Sequence, residues 1–260
     1  RLPALLGGLA MLLPLLLGVA ASPAAAGPEV RRLAGNDRYL TAVAISRASR
    51  PAPATATVAV LTTGANFPDA LAGGAAAAAL GGPVLLTLKD NVPAETGAEL
   101  RRLQPSRVLV LGGTNVISDS ATTQLAFQGF TVERIAGAGR YETAALVSEN
   151  VFAPGPAVVY VATGVDYPDA LAGAAAAGRV GAPVLLVGKD TLPGSTANEL
   201  TRLRPAQIVL LGGTGAVSAD VEARLRVFAP SVTRISGADR YATAAAVARA
   251  TPGPATPTRR

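Results

Sequence analysis

One stretch of eleven residues occurs twice in this chain, and the two copies lie one hundred positions apart. Residues 63–73 read TGANFPDALAG and residues 163–173 read TGVDYPDALAG. Two shorter blocks, PVLL and LGGT, recur with the same shift. A repeat of this length is close to the size of a small domain, so we interpret the chain as a tandem array. Its function should then be sought in a surface that the repeats share.

Composition excludes most catalytic chemistry. The chain has no His and no Cys, so a Ser-His-Asp triad, a Cys-His dyad, a zinc site with His or Cys ligands and a disulfide cannot form within it. We therefore expect no catalytic residue, no metal and no cofactor. The formal charge of +6 indicates either a polyanionic partner or a solvated Arg-rich surface.

The first residues are typical of an export signal. Arg1 precedes an apolar run over residues 2–21, and small residues that end in A-x-A follow. We predict a signal peptide at residues 1–26, cut after Ala26 or after Ala21, and no membrane association after cleavage. The alternative is an uncleaved membrane anchor, but prolines and a Gly-Gly pair disfavour a long regular helix.

Short β-branched runs alternate with helical patterns along each repeat, which indicates a parallel sheet covered on both faces. The predicted fold is α/β, with tandem Rossmann-like three-layer modules that have parallel sheets, two complete and one truncated. Asn36 or Asp37 is the expected cap of the first helix, and Asn66 that of the second. For the first copy we predict strands at 58–62, 84–87, 108–111 and 132–135, and helices at 40–48, 70–80, 95–103 and from Ser118 or Asp119 to about 128.

The element G-x-x-R-Y-x-T-A occurs three times, beginning at Gly35, Gly137 and Gly237, whereas the P-D-A-L-A-G element occurs twice. This mismatch predicts two full repeats and the opening of a third. The predicted boundaries are 28–132 for repeat 1, 133–232 for repeat 2, 233–250 for the truncated start of repeat 3 and 251–260 for a disordered tail.

Four blocks in a fixed order resemble the type 2 cell-wall-binding repeat of Gram-positive bacteria. They are G-x-x-R-Y-x-T-A, T-G-x-[ND]-[FY]-P-D-A-L-A-G, P-V-L-L and L-G-G-T, and both full copies carry all four. The resemblance implies a secreted, non-catalytic module on the cell surface that binds an anionic secondary wall polymer, either teichoic-like or teichuronic-like. It also implies three modules in a pseudo-threefold ring with ligand grooves near the module junctions.

This chain departs from the family pattern because its third module is only a start. The chain could be a fragment, could self-associate to complete the ring, or could close the gap with its own stub. A separate effector often accompanies such modules. An alternative function is therefore the wall-anchored part of a peptidoglycan hydrolase or protease whose catalytic domain is absent from this chain.

Arginine at three equivalent helix starts gives the first candidate polymer-binding residues. Arg38, Arg140 and Arg240 each precede a Tyr, and each could contact phosphate or carboxylate together with free backbone N–H groups. The alternative is a structural Arg that pairs with a carboxylate and locks modules together. The sequence leaves both interpretations open.

Four further residues are candidates for polymer binding, with a structural alternative for each. Lys89 and Lys189 follow strand ends and could contact an anion or simply be solvated. Thr114 and Thr214 follow Gly-Gly pairs that either admit a ligand or only form a tight turn.

The aspartates and loop residues of the repeated blocks are expected to have structural roles rather than to bind the polymer. Asp69 and Asp169 are expected to stabilise helix starts or to pair with the arginines, since an acid repels an anionic polymer. Asn66 and Asp166 are expected to shape a loop or contact a hydroxyl. The segments 83–86 and 183–186 are expected in the sheet core or at a module interface.

Three other functions are disfavoured. An exported wall hydrolase would need paired carboxylates or Ser-Lys chemistry, and the repeated carboxylates lie at predicted helix starts. A nucleotide-binding protein would be expected to carry G-x-G-x-x-G after its first strand, and neither repeat does. Nucleic-acid binding lacks aromatic stacking platforms, so no nucleic-acid partner is expected.

Overall fold

The computed structural model describes residues 30–54 and 56–251, and the elements below belong to one compact unit that begins at Leu33. The predicted signal peptide at residues 1–26 and nearly all of the tail predicted at 251–260 lie outside the described residues. Within the described ranges, no helix has the length and apolar character needed to cross a membrane.

Each repeat consists of strands alternating with helices, as predicted, and the expected boundaries differ from the observed ones by three residues or fewer. The first repeat contains α1 (Arg38–Ser49), β1 (Val58–Thr63), α2 (Pro68–Ala79), β2 (Val84–Thr87), α3 (Ala94–Leu103), β3 (Arg107–Leu111), α4 (Asp119–Phe127) and β4 (Val132–Ile135). The second contains α5 (Arg140–Val151), β5 (Val158–Thr163), α6 (Pro168–Val180), β6 (Val184–Val187), α7 (Gly194–Leu203), β7 (Gln207–Leu211), α8 (Ala219–Leu225) and β8 (Ser231–Ile235), and α9 (Arg240–Ala250) follows.

The helix starts show which capping predictions hold. Asp37 caps α1, because its Oδ1 accepts a hydrogen bond of 2.7 Å from the amide of Leu40. The predicted cap at Asn66 was wrong. The Asn66 side chain instead accepts from the adjacent amide of Phe67, so it shapes the loop before α2.

Both sheets are parallel and have the same strand order, β2-β1-β3-β4 in the first repeat and β6-β5-β7-β8 in the second. From β1 the chain crosses to β2 on one side, and it then returns past β1 to β3 on the other side. Between β1 and β3, and between β5 and β7, the strand order therefore reverses. In open parallel sheets this reversal leaves a crevice beyond the carboxyl ends of the strands, where ligands bind.

The core of the first repeat lies on both faces of its sheet, which confirms the three-layer prediction. Val58 and Val60 of β1 pack in a cluster with residues of α2, whereas Ala59 and Leu61 pack in a second cluster with residues of α3 and α4. This alternation follows from the period of two along a strand. Helices therefore cover both faces.

The two repeats meet through helices built from small residues. Helix α2 packs against α6. The helix that follows the last strand of each repeat also packs here, α5 on α2 and α9 on α6. Gly73 and Gly173 let these helices approach the sheets, since an added Cβ would collide with Leu111 in the first repeat and with Leu211 in the second. The glycine of the repeated A-L-A-G sequence is thus explained by close helix–sheet packing.

Candidate polymer-binding grooves at the repeat junctions

Two equivalent grooves lie at the strand-order reversals, and each is completed by the start of the following repeat. Thr63 ends β1 and Gly112 follows β3, so the first groove opens at the switch point of the first sheet. The first junction groove has a volume of about 190 Å³. It is lined by Thr63, Asn66, Pro68, Asp69, Gly112, Gly113, Asn115, Val116, Gly137, Ala138, Gly139, Arg140 and Thr143.

The second junction groove is the larger of the two. Its volume is about 440 Å³. The loop before α9 and the start of α9 form one of its walls, just as the loop before α5 and the start of α5 form a wall of the first junction groove. The segment that was predicted to open a third repeat therefore has a structural role, because it supplies one wall of this groove. The lining residues are Thr163, Val165, Asp166, Pro168, Asp169, Lys189, Gly213, Gly215, Ala216, Gly237, Ala238, Asp239, Arg240 and Thr243.

An aspartate in the first turn of a helix lies at the floor of each groove. Burial raises the pKa of Asp69 above its ordinary value, while the charge of Arg140 opposes this rise. Burial is also the main cause of the raised pKa of Asp169, and the nearby charge of Asp166 adds to this rise. A side-chain hydrogen bond with Thr243 and the charge of Arg240 oppose the rise in pKa. Both carboxyls are thus held in partly desolvated positions that face a cation of the next repeat.

The three equivalent arginines do not make equivalent contacts. Arg38 and Arg140 each donate from Nη1 to a loop carbonyl of their own repeat, that of Gly64 and that of Gly164 respectively. Arg240 instead lies 4.0 Å from Asp166 Oδ2 across the second groove, with about half of its side chain exposed. Their role in polymer binding stays a prediction, and Arg38 and Arg140 also carry a structural role.

The tyrosines that follow these arginines differ in the same way. The ring of Tyr39 lies against Gly64, and that of Tyr141 lies against Gly164, so both cover the loop after the first strand of their own repeat. Tyr241 has 79% of its surface exposed. The start of α9 therefore presents Arg240 and Tyr241 to solvent.

The four other predicted binding residues occupy different positions relative to the grooves. Lys189 lines the second groove. Lys89 is exposed and is not among the residues that line the first groove in the described part of the chain. Thr114 and Thr214 are exposed beside the grooves, and their neighbours Gly113 and Gly213 form the lining instead.

Sequence reasoning missed the arginines that hold the groove loops in place. Arg134 Nη1 donates to the carbonyl of Gly112 at 2.7 Å, and Arg234 Nη1 donates to that of Gly212 at 2.8 Å. Arg234 also pairs with Glu222 at 2.7 Å. Their recurrence one hundred positions apart was a usable signal.

A second repeated cluster, also missed, lies outside the grooves. The Glu99 side chain is fully buried and accepts hydrogen bonds from Ser46, Arg47 and Arg102. Burial opposes its ionisation, but these three donors outweigh burial and hold the pKa of Glu99 below its ordinary value. The cluster joins α1 to α3.

The corresponding cluster of the second repeat has fewer cations. Glu199 accepts from Ser148 and Arg202, and it joins α5 to α7. Within the described ranges, no group of acidic side chains is arranged to hold a metal ion.

The sequence profile of the family described as Cell wall binding domain 2 (CWB2) matches residues 32–122 and 134–222. The chain belongs to this family, which confirms the resemblance found in its motifs. Each match begins before the first helix of one repeat and ends before the last strand of that repeat.

Two curated relatives come from Bacillus subtilis (strain 168). The chain is 35% identical to N-acetylmuramoyl-L-alanine amidase LytC over 222 residues, which cover 85% of this chain and 43% of that protein. It is 32% identical to the amidase enhancer over 210 residues, which cover 81% of this chain and 28% of that protein. The chain thus spans less than half the length of these relatives.

Solved structures with the same fold come from Clostridium difficile. Cwp6 matches with a TM-score of 0.77 and 31% identity, over 84% of this chain and 35% of the solved chain. Cwp8 matches with a TM-score of 0.72 and 29% identity, over 83% of this chain and 36% of the solved chain. The α/β architecture of tandem parallel sheets is shared with both.

Proposed function

We propose that this chain is an exported, non-catalytic protein that binds an anionic polymer of the cell wall and is retained there without a covalent link. The observation that carries the proposal is the pair of junction grooves, each at a sheet switch point and each bordered by a cation of the next repeat. Membership of a cell-wall-binding family supports the wall as the target.

The charge distribution limits how the polymer is held. Residues 33–132 have a formal charge of +1 and residues 133–232 a formal charge of −1, so the repeats are not broadly basic. Binding that depended only on a diffuse positive surface would be weak here. Under this proposal discrete cations in a groove hold the polymer instead. Carboxylates accept hydrogen bonds from its hydroxyl groups, and backbone N–H groups donate hydrogen bonds to its acidic groups.

Sedimentation with purified Gram-positive walls tests this function. The mature chain should bind intact walls, and acid stripping of the anionic polymers should abolish binding. Binding should also weaken as salt rises from low to physiological concentration, because exposed ion pairs are screened. Equal binding to intact and stripped walls would contradict the proposal.

The lengths of the relatives favour a second function. The amidase relative is more than twice as long as the matched segment, so the chain could be the wall-binding part of a longer peptidoglycan hydrolase or protease. Under this proposal the present chain binds walls but releases no peptidoglycan fragments. Release of soluble muropeptides by the purified chain would show that it has catalytic activity of its own.

A third surface supports self-association. An apolar groove of about 740 Å³ lies between α1, α2 and α6, and it is continuous with the interface in which α2 packs on α6. Ile45 and Leu171, both about half exposed, line it. We propose that a second copy of the chain covers it with its own small-residue helices in a symmetric contact.

The mass in solution tests this contact. Light scattering should give a dimer that dissociates on dilution, and Leu171→Glu should make the chain monomeric. Val227→Glu is the matched control, since Val227 is exposed and apolar but lies outside this groove. A monomer at all concentrations would exclude self-association and leave the wall-binding proposal standing.

A further inference from the structure

Helix α4 of the first repeat carries an exposed aromatic ring in a groove that lies away from the repeat junctions. Phe127 has 88% of its surface exposed, and it lines an open groove of about 590 Å³, the α4 groove. The helix buries Ala121 and Leu125 on its other side, so this groove lies on its outward face. The lining residues are Asp119, Ser120, Thr123, Gln124, Phe127 and Gln128.

The two glutamines of the α4 groove have their oxygens bound and their NH2 groups unbound. Gln124 Oε1 accepts a hydrogen bond of 2.9 Å from the amide of Val92, and Gln128 Oε1 accepts one of 2.6 Å from Arg101 Nη1. Because a backbone N–H and a guanidinium can only donate, these contacts fix which end of each side-chain amide is the oxygen. In the described part of the chain neither NH2 group donates to a protein acceptor. Four N–H donors therefore remain for a ligand.

The rest of the lining supplies acceptors and hydroxyls but no cation. Asp119 accepts a hydrogen bond of 3.3 Å from Arg134 Nη2, and 80% of its side chain is exposed. Ser120 and Thr123 are exposed on the same face. No Lys or Arg is among the described residues that line the α4 groove. An acidic ligand would meet a carboxylate and no cation here, so the groove favours a neutral ligand rich in oxygen atoms.

The combination of ring and amides carries more than the ring alone. A single exposed apolar side chain is common on protein surfaces and by itself indicates no ligand. Here the ring of Phe127 lies in the same groove as the unbound donors of Gln124 and Gln128. A pyranose ring has an apolar face of C–H groups and a rim of hydroxyl oxygens, so it matches an aromatic face that is bordered by N–H donors.

We propose that the α4 groove binds neutral pyranose units of a glycan chain. The C–H face of one sugar packs on the Phe127 ring, and the NH2 groups of Gln124 and Gln128 donate to its hydroxyl or acetamido oxygens. A contact with so few atoms is weak, with a Kd on the order of 1 mM. It adds to the proposed binding of an anionic polymer, and takes a different class of ligand at a different place.

The equivalent helix of the second repeat lacks these groups. Helix α8 has Val227 at the position of Phe127 and Arg224 at that of Gln124. Valine offers no ring face, and a guanidinium brings a charge in place of a neutral amide. We therefore assign the glycan site to the first repeat alone, and α8 provides matched control positions within the same chain.

Titration of the full chain with the N-acetylglucosamine tetramer, a neutral glycan probe, tests the site by saturation-transfer NMR. The wild type should transfer saturation to the sugar, and the apparent Kd should not change between low and physiological salt, because the probe has no charge to screen. Phe127→Ser should weaken binding by about tenfold or more, since the ring face is lost. Val227→Ser, the control at the equivalent exposed position, should bind like the wild type.

Isosteric changes at the glutamines separate sugar binding from a structural role. The double variant Q124E/Q128E keeps the oxygens that accept from Val92 and Arg101, but it removes all four unbound N–H donors. We expect the apparent Kd for the tetramer to rise by about fivefold or more while the thermal unfolding midpoint changes little. Unchanged tetramer binding by this variant would contradict the role given to the amides.

The outcomes separate this inference from the proposed function. No saturation transfer to the tetramer, or equal transfer for the wild type and Phe127→Ser, would overturn the glycan site alone if the wild type still sediments with intact walls. Tetramer binding without sedimentation would overturn only the binding of an anionic polymer. If Phe127→Ser changes the mass by light scattering but not tetramer binding, the ring is a protein contact and the glycan site is wrong.

Discussion

In the first repeat Asn115 and Val116 line a junction groove of about 190 Å³, whereas Gly215 and Ala216 line the second junction groove, which measures about 440 Å³. The backbone around both grooves is held in the same way, because an arginine from the last strand of each repeat binds the first glycine carbonyl of the loop. The comparison shows that the loop frame keeps its fold while a few side chains differ and the size of the groove changes.

The buried glutamate clusters give the largest expected difference in stability. Glu99→Ala should lower the free energy of unfolding by about 3 kcal/mol, because it leaves the buried Ser46 hydroxyl without its acceptor and removes the carboxylate that pairs with Arg102. Glu199→Ala should cost less, since Glu199 has no counterpart of the contact from Arg47. Urea unfolding measures both.

Glu95→Ala is the matched control for this series, because Glu95 is exposed on the same helix and should change the unfolding midpoint little. Equal losses for Glu95→Ala and Glu99→Ala would show that the buried cluster does not stabilise the repeat.

Substitution of Gly112, the glycine that follows β3, should give the next largest loss of stability. Gly112 has φ of +106°, and an added Cβ would lie 2.6 Å from both Asp69 Oδ2 and Val116 Cγ2. Gly112→Ala should therefore destabilise the chain by about 2 kcal/mol. Gly113→Ala, where a Cβ meets nothing within 4 Å, is the control and should be nearly neutral.

Removing the crowding side chain should restore part of the loss. The double variant G112A/V116A should be more stable than Gly112→Ala alone, as judged by thermal unfolding, because the Val116 methyl group no longer opposes the new Cβ. The positive φ keeps the rescue incomplete. No rescue would mean that backbone strain and the contact with Asp69 Oδ2, rather than the Val116 side chain, set the cost.

Asp69 should give a smaller effect that depends on pH. Its pKa is raised by burial in the folded state, so the folded chain binds its proton more readily than the unfolded chain. The carboxylate therefore lowers stability at neutral pH, and this penalty disappears as pH falls through the raised pKa towards the ordinary value near 4. Asp69→Asn should raise stability at neutral pH and have less effect at pH 4.

Urea unfolding at several pH values measures this dependence. Asp169→Asn should show a weaker gain, since its carboxylate has a hydrogen bond with Thr243 that favours the charged form. A loss of stability in Asp69→Asn that is largest at neutral pH would contradict the assigned sign.

The ion pair across the second groove gives the smallest expected effect. Asp166→Asn introduces the residue type found at Asn66 in the first repeat. More than half of the Asp166 side chain is exposed and its distance to Arg240 is 4.0 Å. We expect a change within about 0.5 kcal/mol in the free energy of unfolding. A loss above about 1 kcal/mol would show that this pair fastens α9 to the second repeat.

The sequence determined the architecture of the chain to a large extent. The shift of one hundred positions, the short apolar runs and the four ordered blocks predicted the tandem α/β modules and their family, and both predictions are confirmed. Such features are local: strand and helix patterns depend on residues a few positions apart, and motifs can be read directly. The predicted cap at Asn66 failed because a neighbouring amide competes for its side chain.

Only the tertiary structure decided which equivalent residues make equivalent contacts. Arg38, Arg140 and Arg240 occupy the same position of the G-x-x-R-Y-x-T-A motif. The first two nevertheless bind loop carbonyls 24 or more positions away, and the third faces Asp166. The grooves bring together residues that lie about 75 to 80 positions apart along the chain, from the end of one strand to the start of the next repeat. Contacts of that range depend on how strands and helices pack, so no local pattern could show which residues line each groove.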